Sequence, residues 1–428
     1  MELKYGDTTF TLHLPEQHLQ GVIQARPALP AASPETIIDQ ALDSHAPFFA
    51  SLRSGQRVVI VTSDITRYTG SEIYLPRLIA RLNQAGIADT AITIIIALGI
   101  HRRQTEHEHR KILGPLFGRI RVMDHDCDDP GRLVQIGVTT NGVPVEINRR
   151  VAEAEVVILT GTIGFHYFAG FGGSRKSILP GVASRRSCMA SHFAVLNPGE
   201  GSGRNPLATT GNLDGNPVHQ AMTEACAMVD PAFILNTVLA PDKRIIAAFA
   251  GDWREAFAAG CRTYAENFSY PLAKRSDLVV VSCGGFPKDI NLIQAHKSME
   301  YGCQALKDGG VMILLAQCRD GYGNATFFNW FRFRELPEFE GHLRHHYEIN
   351  GQTAYATLQK AQRFRVILVS DLPAEEVRTM QMTPASDLDQ ALALATKLLP
   401  PDYTAYVIPE GGTVLPVAQN CTTFEVRG

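Results

Sequence analysis

The sequence predicts an α/β protein of two domains, each with a largely parallel sheet flanked by helices, and an active site in the cleft between them. Three observations lead there. Runs such as "RVVIVTSD", "AITIIIALGI" and "EVVILTGTI" are continuously apolar rather than alternating, as strands covered on both faces are. Each run ends in a polar loop that leads into helical spacing, the alternation that builds a parallel sheet. A second series of the same kind begins near residue 276, and 428 residues suffice for two or three domains.

In order, "RVVIVTSDITRYTGSEIYLPRLIARLNQAG" reads as a strand, a loop and a helix from Glu72 to Ala85. "AITIIIALGI" is the next strand, and in "HRRQTEHEHRKILG" Thr105 and Glu108 have capping-box spacing and open a helix. "RIRVMDH" and "EVVILTG" continue the alternation. In the second series "SDLVVVSCGGF" is a strand, "NLIQAHKSMEYGCQALKDGG" a helix and "VMILLAQC" a strand, extended by "FRVILVSD", "DLDQALALATKLL" and "AYVIPEG". These elements place an N-terminal cofactor-binding domain at 1–272 and a C-terminal α/β domain at 273–408. A tail at 409–428 is expected to pack back on the first domain.

Composition excludes several classes. A hydrophobic content of 45% with 19% charged residues is that of a globular protein. The net charge is −3 with both signs dispersed, which marks no surface for nucleic acid or membrane. "MELKYGDTTFTLHLPEQ" has no basic stretch ahead of an apolar one, so no secretory leader is expected. "AITIIIALGI" is half the length of a membrane span. Eight cysteines without a C-x-x-C pair read as reduced thiols in a cytoplasmic protein, not as a thiolate metal site.

Ligands of open parallel sheets sit beyond the carboxyl ends of the strands. There lie Ser63, Asp64, Thr66 and Arg67, then His101, then His166 with the loop "HYFAGFGGSRKS". Gln294 and Lys297 share one face near the start of a helix. Each has an ordinary structural reading: Asp64 with Arg67 as a surface ion pair, a strand-end histidine as a hydrogen-bonded framework residue, Gln294 and Lys297 as decoration of an amphipathic helix. The glycine-rich loop is not a Walker motif, because Arg175 stands where its second glycine belongs and the loop does not follow its strand directly. His166, Lys176 and His192 fall within 27 residues and form no H-E-x-x-H pattern. A single imidazole at His192 completes a metal's coordination if a cofactor brings the other donors; otherwise it is a satisfied core histidine. A nicotinamide-dependent 2-hydroxy-acid dehydrogenase lacks its G-x-G-x-x-G here. A nucleotide- or cofactor-binding protein without turnover stands as the non-enzymatic alternative.

The segments "SDITRY", "GIHR", "HYFAGFGGSRKSILPG", the "SH" that ends at His192, "GNP" and "GGFPKDINLIQAHK" resemble the nickel-pincer-nucleotide-dependent lactate racemase family over roughly residues 5–420. The resemblance implies a pyridinium-3-thioamide-5-thiocarboxylic acid mononucleotide carrying nickel, joined to Lys176 through the thioamide, with His192 as the one protein ligand to the metal. It implies that His101 and His166 are the acid/base pair. Ser63, Asp64 and Arg67 would contact the cofactor, Asp64 through its ribose, with Gly172, Gly173 and Ser174 beside its phosphate. Arg67, Gln294 and Lys297 would hold the substrate. The implied reaction is inversion of C2 of a 2-hydroxy acid by hydride transfer through a 2-keto acid, in an isomerase that depends on cofactor-biosynthesis proteins. The sequence departs from the family pattern at Tyr68, where a proline is usual, in "HRRQT" for "HRPMT", at Ile293 for a tyrosine, and at Thr353, which aligns loosely with an aromatic. These departures imply a reshaped pocket, with malate or a longer or sugar acid beside lactate as substrate.

Overall fold

A computed structural model describes residues 1–25, 29–346, 348 and 350–418. The chain forms two compact units. Of the described residues, one holds 29–195 and 205–266; the other holds 1–25, 196–204 and those from 267 to 418.

In the first unit six strands make one sheet: β1 (Val58–Ser63), β2 (Ile92–Ala97), β3 (Arg121–Asp124), β4 (Val156–Ile163), β5 (Phe233–Leu239) and β6 (Ile245–Gly251), in spatial order β6-β5-β4-β1-β2-β3. All neighbours are parallel except the edge pair β5/β6. The residues Val58-Val59-Ile60-Val61 and Ile94-Ile95-Ile96 are buried on both faces, which is why these runs do not alternate. Helix α1 (Ser71–Gln84) turns Tyr74, Leu75, Leu78, Ile79 and Leu82 onto the sheet, all fully buried. Each of its aliphatic side chains contributes about 1.5–3 kcal/mol by leaving water. Helix α2 (Glu106–Leu113) begins with both halves of the capping box, Glu108 N–H to Thr105 Oγ1 at 3.3 Å and Thr105 N–H to Glu108 Oε2 at 2.7 Å.

The second unit has its own six-stranded sheet, parallel throughout. Its strands are β7 (Ser276–Ser282), β8 (Leu306–Leu315), β9 (Arg365–Val369), β10 (Thr383–Ala385), β11 (Ala405–Ile408) and, from the start of the chain, Leu19–Val22, in the order β10-β9-β8-β7-β11 with Leu19–Val22 at the edge beside β11. Leu19–Val22 thus belongs to this sheet, a pairing across nearly the whole chain that no local pattern in "LQGV" announces. The helix expected over "NLIQAHKSMEYGCQALKDGG" is shorter than its sequence suggests, because Gly302 ends it and Leu306 already pairs with Ser276 in the sheet. A Cβ at Gly302 would lie 2.8 Å from Val281 Cγ2, so the helix end packs on β7 only because it lacks a side chain. Of the tail, Leu415–Ala418 pairs in parallel with Ser269–Leu272 of the same unit; residues 419–428 lie outside the described residues. Among the described residues no helix is long and apolar enough to cross a membrane.

Candidate active site

The ends of β1 and β2 bring Asp64 and His101 together. The Asp64 side chain is fully buried and its Oδ2 lies 2.5 Å from His101 Nδ1. Asp64 Oδ1 accepts from the Thr66 amide at 3.0 Å and the Thr66 hydroxyl at 2.6 Å, and Arg67 Nη1 lies 3.5 Å from Oδ2. Burial opposes ionisation of this carboxyl, but the hydrogen bond from His101, the Arg67 charge and the Thr66 bond outweigh it and hold it below the usual carboxylate range. Asp64 was expected on a ribose. Both of its oxygens are engaged within the protein, behind His101. Gln104, in the departing "HRRQT", ties the same two loops, its Oε1 accepting from the Ile65 amide at 3.0 Å, while its backbone N–H donates to Asp124 Oδ2 at the end of β3 at 2.8 Å. Ser63 ends β1 half-buried. Tyr68 points elsewhere, donating to Glu72 Oε1 at 2.6 Å in the first turn of α1.

Beyond β4 the chain forms a tight antiparallel ribbon, Phe165–His166 against Gly170–Phe171. Gly170 has φ +74°, and a Cβ there would meet Asn212 O at 2.2 Å; Gly173 has φ +103°, and its Cβ would meet Ile163 Cδ1 at 2.7 Å. Arg175, the residue that breaks the Walker pattern, staples this loop. Its buried guanidinium donates to Ala169 O (3.1 Å), Phe171 O (3.1 Å) and Gly172 O (2.7 Å), its Nε to His219 Nδ1 (3.1 Å), and it lies 4.2 Å over the Phe257 ring. Burial pushes this arginine down to about 10, so it stays charged at neutral pH. Lys176 follows on a single turn, Ser174–Ser177. The expected phosphate cradle is not a row of open amides: Gly172 N–H donates to Gly164 O at 2.7 Å and Ser174 N–H to Asn236 Oδ1 at 2.8 Å.

His192 lies on α3 (Arg185–Phe193), capped by Ser184, whose hydroxyl accepts from the Ser187 amide. Its Nδ1 is 2.7 Å from Cys188 O, a carbonyl that only accepts, so Nδ1 carries the proton and Nε2 a lone pair. That is the arrangement of a metal-ligating histidine, oriented through its other nitrogen by a backbone carbonyl. Burial depresses His192 to about 4, the Cys188 carbonyl opposes this, and the Lys176 and Arg67 charges add to it. His166 is held well below its ordinary range by burial first, then by Lys176, His192, Arg67 and Arg175. The ring of Phe168 stands edge-on to both, 4.5 Å from His166 and 5.4 Å from His192 between centroids. Lys176 and Arg67 act on both imidazoles, so Asp64, Arg67, His101, His166, Lys176 and His192 share one electrostatic site. Among the described residues no three His, Cys, Asp or Glu gather as a metal centre. A lone, neutral imidazole fits a metal whose other donors arrive with a bound group.

Gln294 and Lys297 lie on α4 (Leu292–Gly302) of the second unit, exposed, with Lys297 Nζ 2.9 Å from Gln294 Oε1 and the Gln294 amide capped by Asn291 at 3.0 Å. The buried side of α4 carries a charge cluster missed in the sequence: Glu300 meets Arg204 at 3.3 Å, Lys360 and His296. Thr353 is buried on the helix Gly351–Arg363, and Ile293 is half-buried.

Residues 5–203 match the family described as lactate racemase N-terminal domain, and residues 272–416 its C-terminal domain. The lactate racemase of Thermoanaerobacterium thermosaccharolyticum is 34% identical over 427 residues, covering 97% of this chain and 98% of that protein. The lactate racemase of Lactiplantibacillus plantarum is 34% identical over 423 residues, covering 96% and 98%. The structure of the lactate racemase apoprotein from T. thermosaccharolyticum superposes with a TM-score of 0.86 at 33% identity, over 97% of this chain and 99% of that one. A Thermotoga maritima protein shares the fold at TM-score 0.62 and 18% identity, over 90% and 99%.

Proposed function

The chain belongs to the lactate racemase family and is an isomerase, and from that premise we propose that it inverts C2 of a 2-hydroxy acid using a nickel-pincer nucleotide joined to Lys176. The observation that carries this reading is His192, a half-buried neutral imidazole with Nδ1–H given to a backbone carbonyl and Nε2 left for a metal, with the Lys176 charge bearing on it and, among the described residues, no group of three protein ligands for a metal. When bound, the cofactor supplies acceptance of a hydride from C2 and its return to either face. The chain's own groups do the rest. Arg67 takes the substrate carboxylate, a guanidinium being its natural partner. His101 receives the hydroxyl proton at Nε2, and Asp64 steadies the imidazolium that forms. His166 stands as the second histidine for the mirror-image substrate. Ser63 and the loop Gly172-Gly173-Ser174 border the nucleotide in this reading, the loop through its shape rather than through the amides of Gly172 and Ser174. Loading of Lys176 depends on cofactor-biosynthesis proteins, in a cytoplasm that keeps thiols reduced; the seven described cysteines are all free.

Lactate is the substrate named for the two relatives. By the resemblance Ile293 stands for a tyrosine and Thr353 aligns loosely with an aromatic, which supports malate or a longer or sugar acid for this chain. Chiral chromatography of loaded enzyme with lactate, malate and a C6 sugar acid tests it. Turnover of one of the larger acids above lactate is expected, and kinetics favouring lactate over every larger acid reject the enlarged pocket.

A further inference from the structure

The sequence motif "GNP" has no role in the reaction as derived so far. Its asparagine, Asn216, is buried and caps the helix Pro217–Val229: Oδ1 accepts from the amides of Val218 (3.0 Å) and His219 (3.2 Å). Because Oδ1 faces two donors, the orientation of the amide is fixed and Nδ2 must point the other way. There it donates to Phe168 O at 2.9 Å and to Asn212 O at 2.9 Å. The Phe168 carbonyl belongs to the peptide plane whose N–H is that of Ala169. That N–H donates to His166 Nδ1 at 3.2 Å.

We propose that Asn216 is a positioning residue that sets the ring tautomer of His166, so that His166 faces the substrate as an Nε2–H donor while His101 faces it with a bare Nε2. A backbone amide cannot accept, so the Ala169 bond requires a lone pair on His166 Nδ1 and leaves the proton of the neutral ring on Nε2. At His101 the partner is reversed. Asp64 Oδ2, 2.5 Å away, only accepts, so His101 carries its proton on Nδ1. Arg67 Nη1, 3.2 Å from that same nitrogen, also only donates, and its partners are Thr66 Oγ1 at 3.2 Å and Asp64. The two histidines that flank the substrate are thereby unequal before it binds. His101 is ready to take a proton. His166 is ready to polarise an oxygen, and it takes a proton on Nε2 only after the proton already there has gone to the substrate oxygen or, once the Ala169 bond is released, has been replaced by one on Nδ1. The roles toward substrate rest on the reaction proposed above; the tautomers do not.

The test uses the full chain made without cofactor. Long-range 1H–15N correlation of the imidazole nitrogens, with His166 assigned by its absence in His166→Gln or, if that variant does not fold, His166→Asn, reports each tautomer. His166 is expected to show a protonated Nε2 and a pyridine-like Nδ1, and His101 the reverse. Asn216→Asp keeps the cap through Oδ1 but puts an acceptor against Phe168 O. In it the single tautomer of His166 should be lost while that of His101 is unchanged. A wild-type His166 with the proton on Nδ1 overturns the proposal, as does an Asn216→Asp protein whose His166 keeps its tautomer. Since no cofactor is present, either result stands apart from the nickel reading, which the metal and mass analysis of loaded protein decides.

Discussion

Replacing Asp64 by Asn isolates what the carboxylate does for His101, because the two side chains have nearly the same shape. The amide presents an N–H or a carbonyl to His101 Nδ1, where a fully buried carboxylate now lies at 2.5 Å. With Thr66 still donating to one side-chain oxygen through its amide and hydroxyl, Asn places its NH2 toward the ring. His101 is then driven to carry its proton on Nε2, where it cannot act as base. The imidazolium that forms in turnover also loses its counter-charge. A comparable substitution behind a catalytic histidine costs about 10^4-fold in kcat. His101 is 37% exposed, so water takes up part of the lost interaction. The expected loss is therefore roughly 10^2–10^3-fold in kcat, about 3–4 kcal/mol of barrier at 1.36 kcal/mol per tenfold. KM should change by no more than about threefold, since both Asp64 oxygens face the protein rather than substrate. The assay is initial racemisation rate in both directions on loaded enzyme of equal nickel content. A kcat within tenfold of wild type, or a loss carried entirely by KM, would refute this role of Asp64.

Arg175→Met removes a donor from three loop carbonyls, of which Ala169 O keeps the Phe171 amide, at about 1–3 kcal/mol for each carbonyl left unsatisfied, offset by relief from burying a guanidinium. A net loss of about 3 kcal/mol should appear in urea unfolding, with Arg175→Lys intermediate; a Met variant as stable as wild type contradicts the staple. Glu300 is disfavoured by burial, yet Lys360, Arg204 and His296 hold it down to about 2 against an ordinary 4.5. A carboxyl lowered on folding stabilises above its unfolded value and loses that stability as pH falls through its folded value, so about 3 kcal/mol should vanish between pH 5 and pH 2. Urea midpoints at pH 7, 4 and 3 should fall less steeply in Glu300→Gln, which starts lower at pH 7 because Arg204 and Lys360 lose their partner. Equal slopes would remove Glu300 from the acid response.

The sheets were legible in the sequence because strands buried on both faces must be apolar at every position, a local signature. Helices α1 and α2 were legible for the same reason, through spacing and a capping box. What the sequence concealed depends on pairs far apart along the chain. Leu19–Val22 finds its place only beside Ala405–Val407. Asp64 and His101 stand 37 residues apart, and the polar end of a strand does not say whether its acid faces a ribose or an imidazole. Arg175 looked like a spoiled phosphate motif, because a guanidinium bound by carbonyls leaves no pattern in composition. Asn216 sat within a motif yet 48 residues from the carbonyl it holds. Residues 166, 176 and 192 were found together since they belong to one continuous stretch of loop and helix.

The central claim is that Lys176 carries a nucleotide whose nickel is bound by His192. It is tested most directly by intact mass and nickel content of protein produced alongside the cofactor-synthesis enzymes, comparing wild type with Lys176→Ala and His192→Ala. The account predicts a nucleotide-sized adduct with one nickel in wild type, neither in Lys176→Ala, and the adduct with reduced nickel in His192→Ala. Wild-type protein of unmodified mass and without nickel, from cells shown to make the cofactor, would contradict it.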